Sequence, residues 1–370
     1  MKIVILSSAG SIHTVRWANA FAGRGHEIHL VTVKNHIVRK DKLTDNVTIH
    51  YLKYPSPWGY YLNAMELHQL CKKIDPDVIN VHYASGYGTL ARLAKIHPYV
   101  LSVWGSDVYD VPYQNIIMKY IVRWNILNAD ALASTSHAMA VQTRKVLDDS
   151  TVNIAVTPFG VDLKEFSTEV EPAPKDENVF LFGTIKKLTY KYGIDYIIKA
   201  FNLFLNEWKN NGSIGKVPHL YICGKGENID DFKRLRDSLG LSEYVEIEGY
   251  IAHELVASKI RSFNVSCFGS TLDSESFGVS AVESMACAVP VIATDVDGFK
   301  EVIVDGETGY IVERNNAEAL AEKMKLLYYD IAKCIEFGKK GRKRVEDLYN
   351  WDNNVVLLEN VLKSIARKNR

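Results

Sequence analysis

Two hydrophobic rhythms alternate along this 370-residue chain. Short continuous apolar runs read as strands buried on both faces, and between them apolar residues return every three or four positions, as on one face of a helix. Lys2–Ser7 predicts the first strand, Ser8–Ala9–Gly10–Ser11 a small-residue turn, and Val15, Ala18, Phe21 and Ala22 a helix; His26–Val33 is the next strand. Such a β-turn-α-β opening predicts a doubly wound α/β sheet. Further strands are expected at Val78–His82, Tyr99–Val103, Ala131–Ser134 and Val152–Val156, with helices over Ile116–Leu127 and Ser136–Leu147.

Residues 164–178 are charged and carry two prolines, which predicts a linker. A second alternating series follows. Strands are expected at Val179–Phe182, His219–Cys223, Val245–Ile247, Val265–Phe268 and Pro290–Thr294. Helices are expected over Ile194–Trp208, from Ile229, and over Glu254–Ser262, Ala317–Tyr329, Ile331–Tyr349 and Asn354–Lys368. The pattern predicts two facing Rossmann-like domains, 1–165 and 179–349, joined by 166–178. Residues 350–370 would form a last helix packing back on the first domain.

Composition is that of an ordinary globular protein, 47% hydrophobic and 24% charged. Net charge is zero, so bulk charge does not argue for nucleic acid. Residues 1–165 hold 17 basic and 13 acidic side chains, leaving the remainder net negative. That asymmetry is either compositional noise or an N-terminal half suited to an anionic acceptor or membrane surface. Five scattered cysteines with no C-x-x-C spacing disfavour a disulfide framework or zinc site and fit a reducing cytosol. The chain opens directly on a strand, with no signal peptide ahead of it, and no apolar run approaches the roughly 20 residues of a spanning helix. A cytoplasmic protein is expected. The segment 113–127 combines apolar, aromatic and basic residues at helical spacing, which suits either an interfacial helix or a core helix with Lys119 and Arg123 in solvent.

The stretch with the most chemistry is Glu275 to Glu283, with Ser276-Phe277-Gly278 after the first glutamate. Val279, Val282, Met285 and Ala286 recur at helical spacing, and a strand follows Pro290. A loop entering a helix offers free backbone amides to phosphate, and carboxylates accept hydrogen bonds from sugar hydroxyls. The alternative is a capping Glu275 and a surface Glu283. Lys186, Lys187 and Lys191 lie in a loop after a predicted strand, where a basic group could neutralise a diphosphate; a solvated basic loop would read the same. Gly10, Gly224 and Gly226 fit close backbone approach or ordinary turns. Asp77, His82, Trp104, Asp107 and His13 are expected at or near the carboxyl ends of predicted strands, facing the same cleft, with His82 either a general base or a structural histidine. No clustered metal ligands and no nucleophile elbow appear.

Taken jointly, these motifs resemble retaining glycosyltransferases of family 4, the glycosyl transferases of group 1. The resemblance runs through Glu275-x7-Glu283, PVIATDVDGFKEVIVDGETGYIV, FGTIKKLTYKYGIDYIIKAF, ICGKGE, PDVINVHYA, VWGSD and TPFGVD, and covers most of the chain. It implies the GT-B fold, with a cleft between two Rossmann-like domains and a nucleotide diphosphate sugar held mainly by the second. Glu275 would approach the transferred sugar and Glu283 the ribose. Phe277, Gly278 and Val279 would meet hydroxyls and phosphates, Lys187 and Lys191 (or Lys186, if the loop aligns one residue differently) the diphosphate, and Gly249 to Ile251, including Tyr250, the base. Gly10 and Gly224 would allow close approach.

The acceptor side would include His13, His82, Trp104 and Asp107. Trp104 stands where many relatives have histidine, which leaves Asp107 to take over part of that role. The implied activity is transfer of a hexose or N-acetylhexosamine, from UDP by family frequency, to an acceptor hydroxyl without metal or other cofactor. A lipid-linked saccharide in bacterial polysaccharide or lipopolysaccharide assembly is the expected acceptor, at the inner face of the membrane. A nucleotide-sugar epimerase or a non-catalytic sugar-nucleotide-binding subunit would share the fold.

Overall fold

The computed structural model describes residues 1–38 and 42–367, which form two compact α/β units. The first unit comprises Met1–Phe159 together with the chain from Asp352 onward. Its strands are β1 (Lys2–Leu6), β2 (Glu27–Val33), β3 (Val47–Leu52), β4 (Val78–His82), β5 (Tyr99–Val103), β6 (Ala131–Ser134) and β7 (Ala155–Val156). They pair in parallel in the order β3-β2-β1-β4-β5-β6-β7. The second unit, Gly160–Trp351, holds β8 (Val179–Ile185), β9 (Val217–Cys223), β10 (Val245–Glu248), β11 (Val265–Phe268), β12 (Val291–Thr294) and β13 (Gly309–Val312), parallel in the order β10-β9-β8-β11-β12-β13.

Both orders reverse direction once, between β1 and β4 and between β8 and β11. In open parallel sheets the loops at that reversal splay apart and leave room for a ligand at the carboxyl ends of the strands. The continuous apolar runs are explained by burial on both faces. All five residues of β4 and of β5 are buried, and Ile197, Ile198, Phe201 and Phe204 of the helix Ile194–Asn210 pack over Phe180 and Phe182 of β8. Two strands are absent from the sequence-based pattern. Strand β3 is a half-exposed edge strand with polar Thr48 and His50 and gives no continuous apolar run, and β13, Gly-Tyr-Ile-Val, directly follows the turn residues 305–308, which mask its start.

The division between the units differs from the expected one. The first unit ends at Phe159 rather than 165, and 166–178 is an attached part of the second unit. Phe166 is buried, Ala173 N donates to Ser258 O, Ser258 Oγ donates to Glu171 O, and Lys175 Nζ donates to Ser262 O. Charge and proline content report exposure, but an exposed strand of chain can still be fastened along its length.

The C-terminal helix, Trp351–Ile365, presents Val355, Leu358 and Leu362 to the interior. Glu359 is nearly buried and accepts from Arg24 Nε at 2.7 Å; His26 Nε2 lies at 3.0 Å and Lys363 Nζ at 2.7 Å. Burial pushes the Glu359 carboxyl up, but these donors outweigh it and hold the pKa at about 2. The five cysteines are all buried and free. Among the described residues no helix is long and apolar enough to cross a membrane.

Candidate active site

Two loops flank the reversal in the second sheet. One follows β8 and carries Lys186, Lys187 and Lys191; the other follows β11 and carries Glu275. Lys186 Nζ lies 2.7 Å from Glu275 Oε2, with the two side chains 11% and 10% exposed. Its ammonium also sits 5.0 Å from the Tyr192 ring centre and 5.9 Å from that of Phe299. Lys187, by contrast, is exposed. The lysine that meets the acidic loop is therefore Lys186. Successive side chains leaving a strand point to opposite sides, so a one-residue difference in alignment exchanges the inward and outward lysines. Lys191 is half-buried, its carbonyl accepting from Thr271 N at 2.9 Å and Thr271 Oγ1 at 3.1 Å. This pins the lysine loop to the loop that leads to Glu275.

The glycines of the 224–226 turn have a specific cause. Lys186 N donates to Cys223 O, and Leu188 N to Lys225 O, both at 2.9 Å. A Cβ on Gly224 would lie 1.8 Å from Lys186 O, and one on Gly226 would lie 1.9 Å from Leu188 O. Close backbone approach is required there, but the approaching group is the lysine loop itself. Gly224 thus seats the lysine loop.

Beyond Glu275 the chain enters the helix Val279–Ala286 through Gly278, whose φ of +81° favours glycine. Phe277 is buried edge-on to Tyr349, with ring centres 5.5 Å apart, so only its backbone is available to a ligand. Val279 and Glu283 are half-buried on the helix. Tyr250 is exposed after β10, with Lys225 Nζ 4.4 Å from its ring centre, and Ile251 beside it is half-buried. A flat aromatic ring with a cation on it is a surface on which a base can stack.

Two family descriptions match the chain: "Glycosyl transferase 4-like" over residues 2–136 and "Glycosyl transferases group 1" over residues 164–344. The chain belongs to the family 4, group 1 glycosyltransferases. It is similar to the uncharacterized glycosyltransferase MJ1178 of Methanocaldococcus jannaschii, 28% identical over 92% of this chain and 90% of that one. It is also similar to the N-acetyl-alpha-D-glucosaminyl L-malate synthase of Bacillus anthracis, 24% identical over 94% of this chain and 92% of that one. Among solved structures, Anabaena Alr3699/HepE in complex with UDP and glucose superimposes with a TM-score of 0.75 at 15% identity, covering 98% of this chain and 100% of that one. The fold is thus that of the GT-B glycosyltransferases.

In the first unit of this glycosyltransferase the expected acceptor-side residues are close together, with His82, Trp104 and Asp107 buried and His13 half-buried. His82 is fully buried, its ring centre 4.0 Å from that of Trp104, and His13 stacks on Phe159 at 4.2 Å. Trp104 is itself nearly buried, 5.1 Å from the Phe159 ring. Burial pushes the His82 pKa down to about 3, helped by His13, and that of His13 down to about 4, helped by Arg16. Both imidazoles are neutral at neutral pH; His82, fully buried, lacks the exposure that a general base needs, while His13 is half-buried.

Asp107 is also fully buried. Its Oδ2 accepts from Ala84 N at 2.8 Å, and its Oδ1 accepts from Trp104 N at 3.1 Å and Gly105 N at 2.8 Å. Burial raises its pKa, with those amides pulling the other way. The geometry makes Asp107 a bracket between two loops rather than a group offered to substrate. Asp77 lies before β4, at the opposite end of the sheet from His82, with Oδ2 accepting from Lys2 N at 2.7 Å. Gly10 is exposed in the turn after β1, where a Cβ would meet Ile37 O at 3.3 Å.

One group near Glu275 has no sequence signal of its own. Arg314, after β13, bonds to both Asp273 and Asp295. Nothing in the spacing of these residues, 41 and 19 positions apart, links them before the chain is folded.

Proposed function

We propose that this glycosyltransferase moves a hexose or N-acetylhexosamine from UDP to an acceptor hydroxyl, with retention at the anomeric carbon and without a divalent metal. The observation that carries this reading is the Lys186–Glu275 pair at the sheet reversal. A cation and a carboxylate held together at the carboxyl end of a parallel sheet suit a ligand with an anionic end and a hydroxylated end. In the proposed step the acceptor oxygen forms a bond to the anomeric carbon while that carbon's bond to the diphosphate oxygen breaks. The acceptor proton passes to a leaving diphosphate oxygen on the same face of the sugar.

Lys186 and Lys191 neutralise the charge that grows on the diphosphate, which stabilises the transition state more than the ground state. Glu275 accepts from a sugar hydroxyl, and Glu283 from the ribose. Phe277 and Gly278 offer backbone amides to the sugar, Val279 lies beside the phosphates, and Tyr250 with Ile251 carries the base. An N-acetylhexosamine donor gains support from the name of the Bacillus anthracis relative. The acceptor is a lipid-linked saccharide of a polysaccharide or lipopolysaccharide pathway, taken at the inner face of the membrane.

Membrane contact rests on the helix Ile116–Leu127. Ile116, Ile117, Tyr120, Trp124 and Leu127 are all exposed on it, as is Tyr113 just before it, while Lys119 and Arg123 share Asp148. An aromatic and aliphatic stripe flanked by basic residues suits an anionic bilayer surface.

The test is a thermal-shift panel of UDP-, GDP-, ADP- and TDP-sugars, followed by NMR of the product's anomeric configuration with and without EDTA. Binding to the native state raises the melting temperature. The expected result is a UDP-sugar shift and retained configuration insensitive to EDTA. An inverted product, a strict metal requirement, or a free sugar epimer formed without acceptor would overturn the reading.

A further inference from the structure

Three loops leave the carboxyl ends of β11, β12 and β13, which are neighbours in the second sheet. Arg314, from the third loop, spans the other two. Its Nε donates to Asp295 Oδ1 at 2.8 Å, and its Nη2 donates to Asp295 O at 2.8 Å and to Asp273 Oδ1 at 2.9 Å. Its backbone N adds a bond to Asp295 Oδ1 at 3.0 Å. Asp273 Oδ1 also accepts from Asp297 N at 3.0 Å. Burial pushes the Asp273 and Asp295 carboxyls up, but the bonds from Arg314 outweigh it, and both lie below the ordinary carboxylate value. Both stay ionised at neutral pH.

This cluster is two residues from Glu275, and the loop it holds rests directly on the Glu275 backbone. Gly298 N donates to Glu275 O at 3.2 Å, and a Cβ at Gly298 would lie 2.3 Å from that oxygen and 2.5 Å from Phe277 N. Upstream, Thr294 Oγ1 donates to Ser270 O at 2.6 Å. The Glu275 loop is therefore tied to the β12 loop at several points, and the charged tie is Arg314.

We propose that Arg314 is a positioning residue for Glu275: by bridging Asp295 and Asp273 it seats the Asp295–Gly298 turn against the Glu275–Phe277 backbone and fixes where the Glu275 carboxylate stands. The inference rests on the reading of Glu275 as the group that meets the transferred sugar. A planar guanidinium is needed because three bonds in different directions leave one side chain, and an ammonium cannot reproduce that fork. Small displacements of a group that orients the reacting sugar cost rate more than they cost binding of the nucleotide.

The experiment compares Arg314→Gln and Arg314→Lys with the unaltered chain, with Asp273→Asn as a second route should Arg314→Gln fold poorly. Backbone hydrogen exchange is read over 270–278 and 295–298, alongside kcat for sugar transfer and the Kd of UDP. The expected result is exchange about tenfold faster at Asp297 and Gly298, with Ile292 of β12 unaffected. In the same variant kcat falls by about tenfold to a hundredfold while UDP affinity is kept. Arg314→Lys falls between. Unchanged exchange in those segments overturns the proposal, as does a loss of UDP affinity equal to the loss of kcat. If the unaltered chain transfers no sugar from any nucleotide, the functional reading fails, and the exchange result alone decides whether Arg314 seats the loop.

Discussion

Lys186 Nζ and Glu275 Oε2 stand 2.7 Å apart, joining the loops after β8 and β11 with about a tenth of either side chain exposed. Removing one member of such a shielded pair leaves a charge without its partner, at a cost of about 3–5 kcal/mol. Lys186→Ala and Glu275→Ala should each be destabilised on that scale in urea denaturation, whereas Lys186→Met combined with Glu275→Gln should lose less. For transfer, Lys186→Ala should cost about a hundredfold or more in kcat. Lys187→Ala, at an exposed position, should leave kcat nearly unchanged. Equal losses at 186 and 187 would restore the alternative alignment of the loop.

Two histidines with lowered pKa values predict an acid-sensitive first unit. In the folded chain His13 and His82 titrate at about 4 and about 3, below the ordinary 6.5. Between those values and 6.5 the unfolded chain binds more protons, so their stabilisation is full above pH 6.5 and is lost as pH falls toward 4 and 3. Each contributes a slope of about 1.4 kcal/mol per pH unit, or about 2 kcal/mol from pH 6.5 to 5. His82→Leu should reduce the stability difference between pH 7.5 and pH 5 by about that amount. An unchanged difference would mean that His82 is protonated inside the fold.

Asp107 should behave as a structural carboxylate. Asp107→Asn places an NH2 group where a carboxylate oxygen now faces the backbone amides of Ala84 or of Trp104 and Gly105. The expected cost is about 1–3 kcal/mol, measured by equilibrium unfolding. The pH profile of transfer should keep its shape. A shifted acid limb in the variant would return Asp107 to the list of reacting groups.

The exposed stripe on the helix Ile116–Leu127 can be tested separately from catalysis. The unaltered chain should sediment with vesicles containing anionic lipid, and Ile117→Ser with Trp124→Ser should abolish this while leaving transfer to a soluble acceptor intact. Lys119→Glu with Arg123→Glu should weaken it in a salt-dependent way. Sedimentation unchanged in all these variants would remove the membrane reading.

Much of the architecture was legible because local chemistry is sufficient for it. A strand buried on both faces must be a continuous apolar run, and β4, β5, β6 and β11 span the residues expected. The edge strand β3 escaped because partial exposure erases that signal, and β13 because its short run directly follows the turn residues 305–308. The motif around Glu275 was equally local, being one loop, one helix and one strand in a row.

What the sequence by itself determined, then, is the alternation that makes two parallel sheets, the placing of lysine and glutamate loops after strands, and membership of a glycosyltransferase family. Tertiary structure alone decided which lysine faces Glu275, because inward and outward positions exchange with a one-residue shift in the loop after β8. It decided that His82 and Asp107 are inside rather than on a reactive surface, since burial depends on what the rest of the sheet lays over them. And it brought Arg314 to Asp273, 41 residues away, because adjacency of β11, β12 and β13 is set by sheet order and not by distance along the chain.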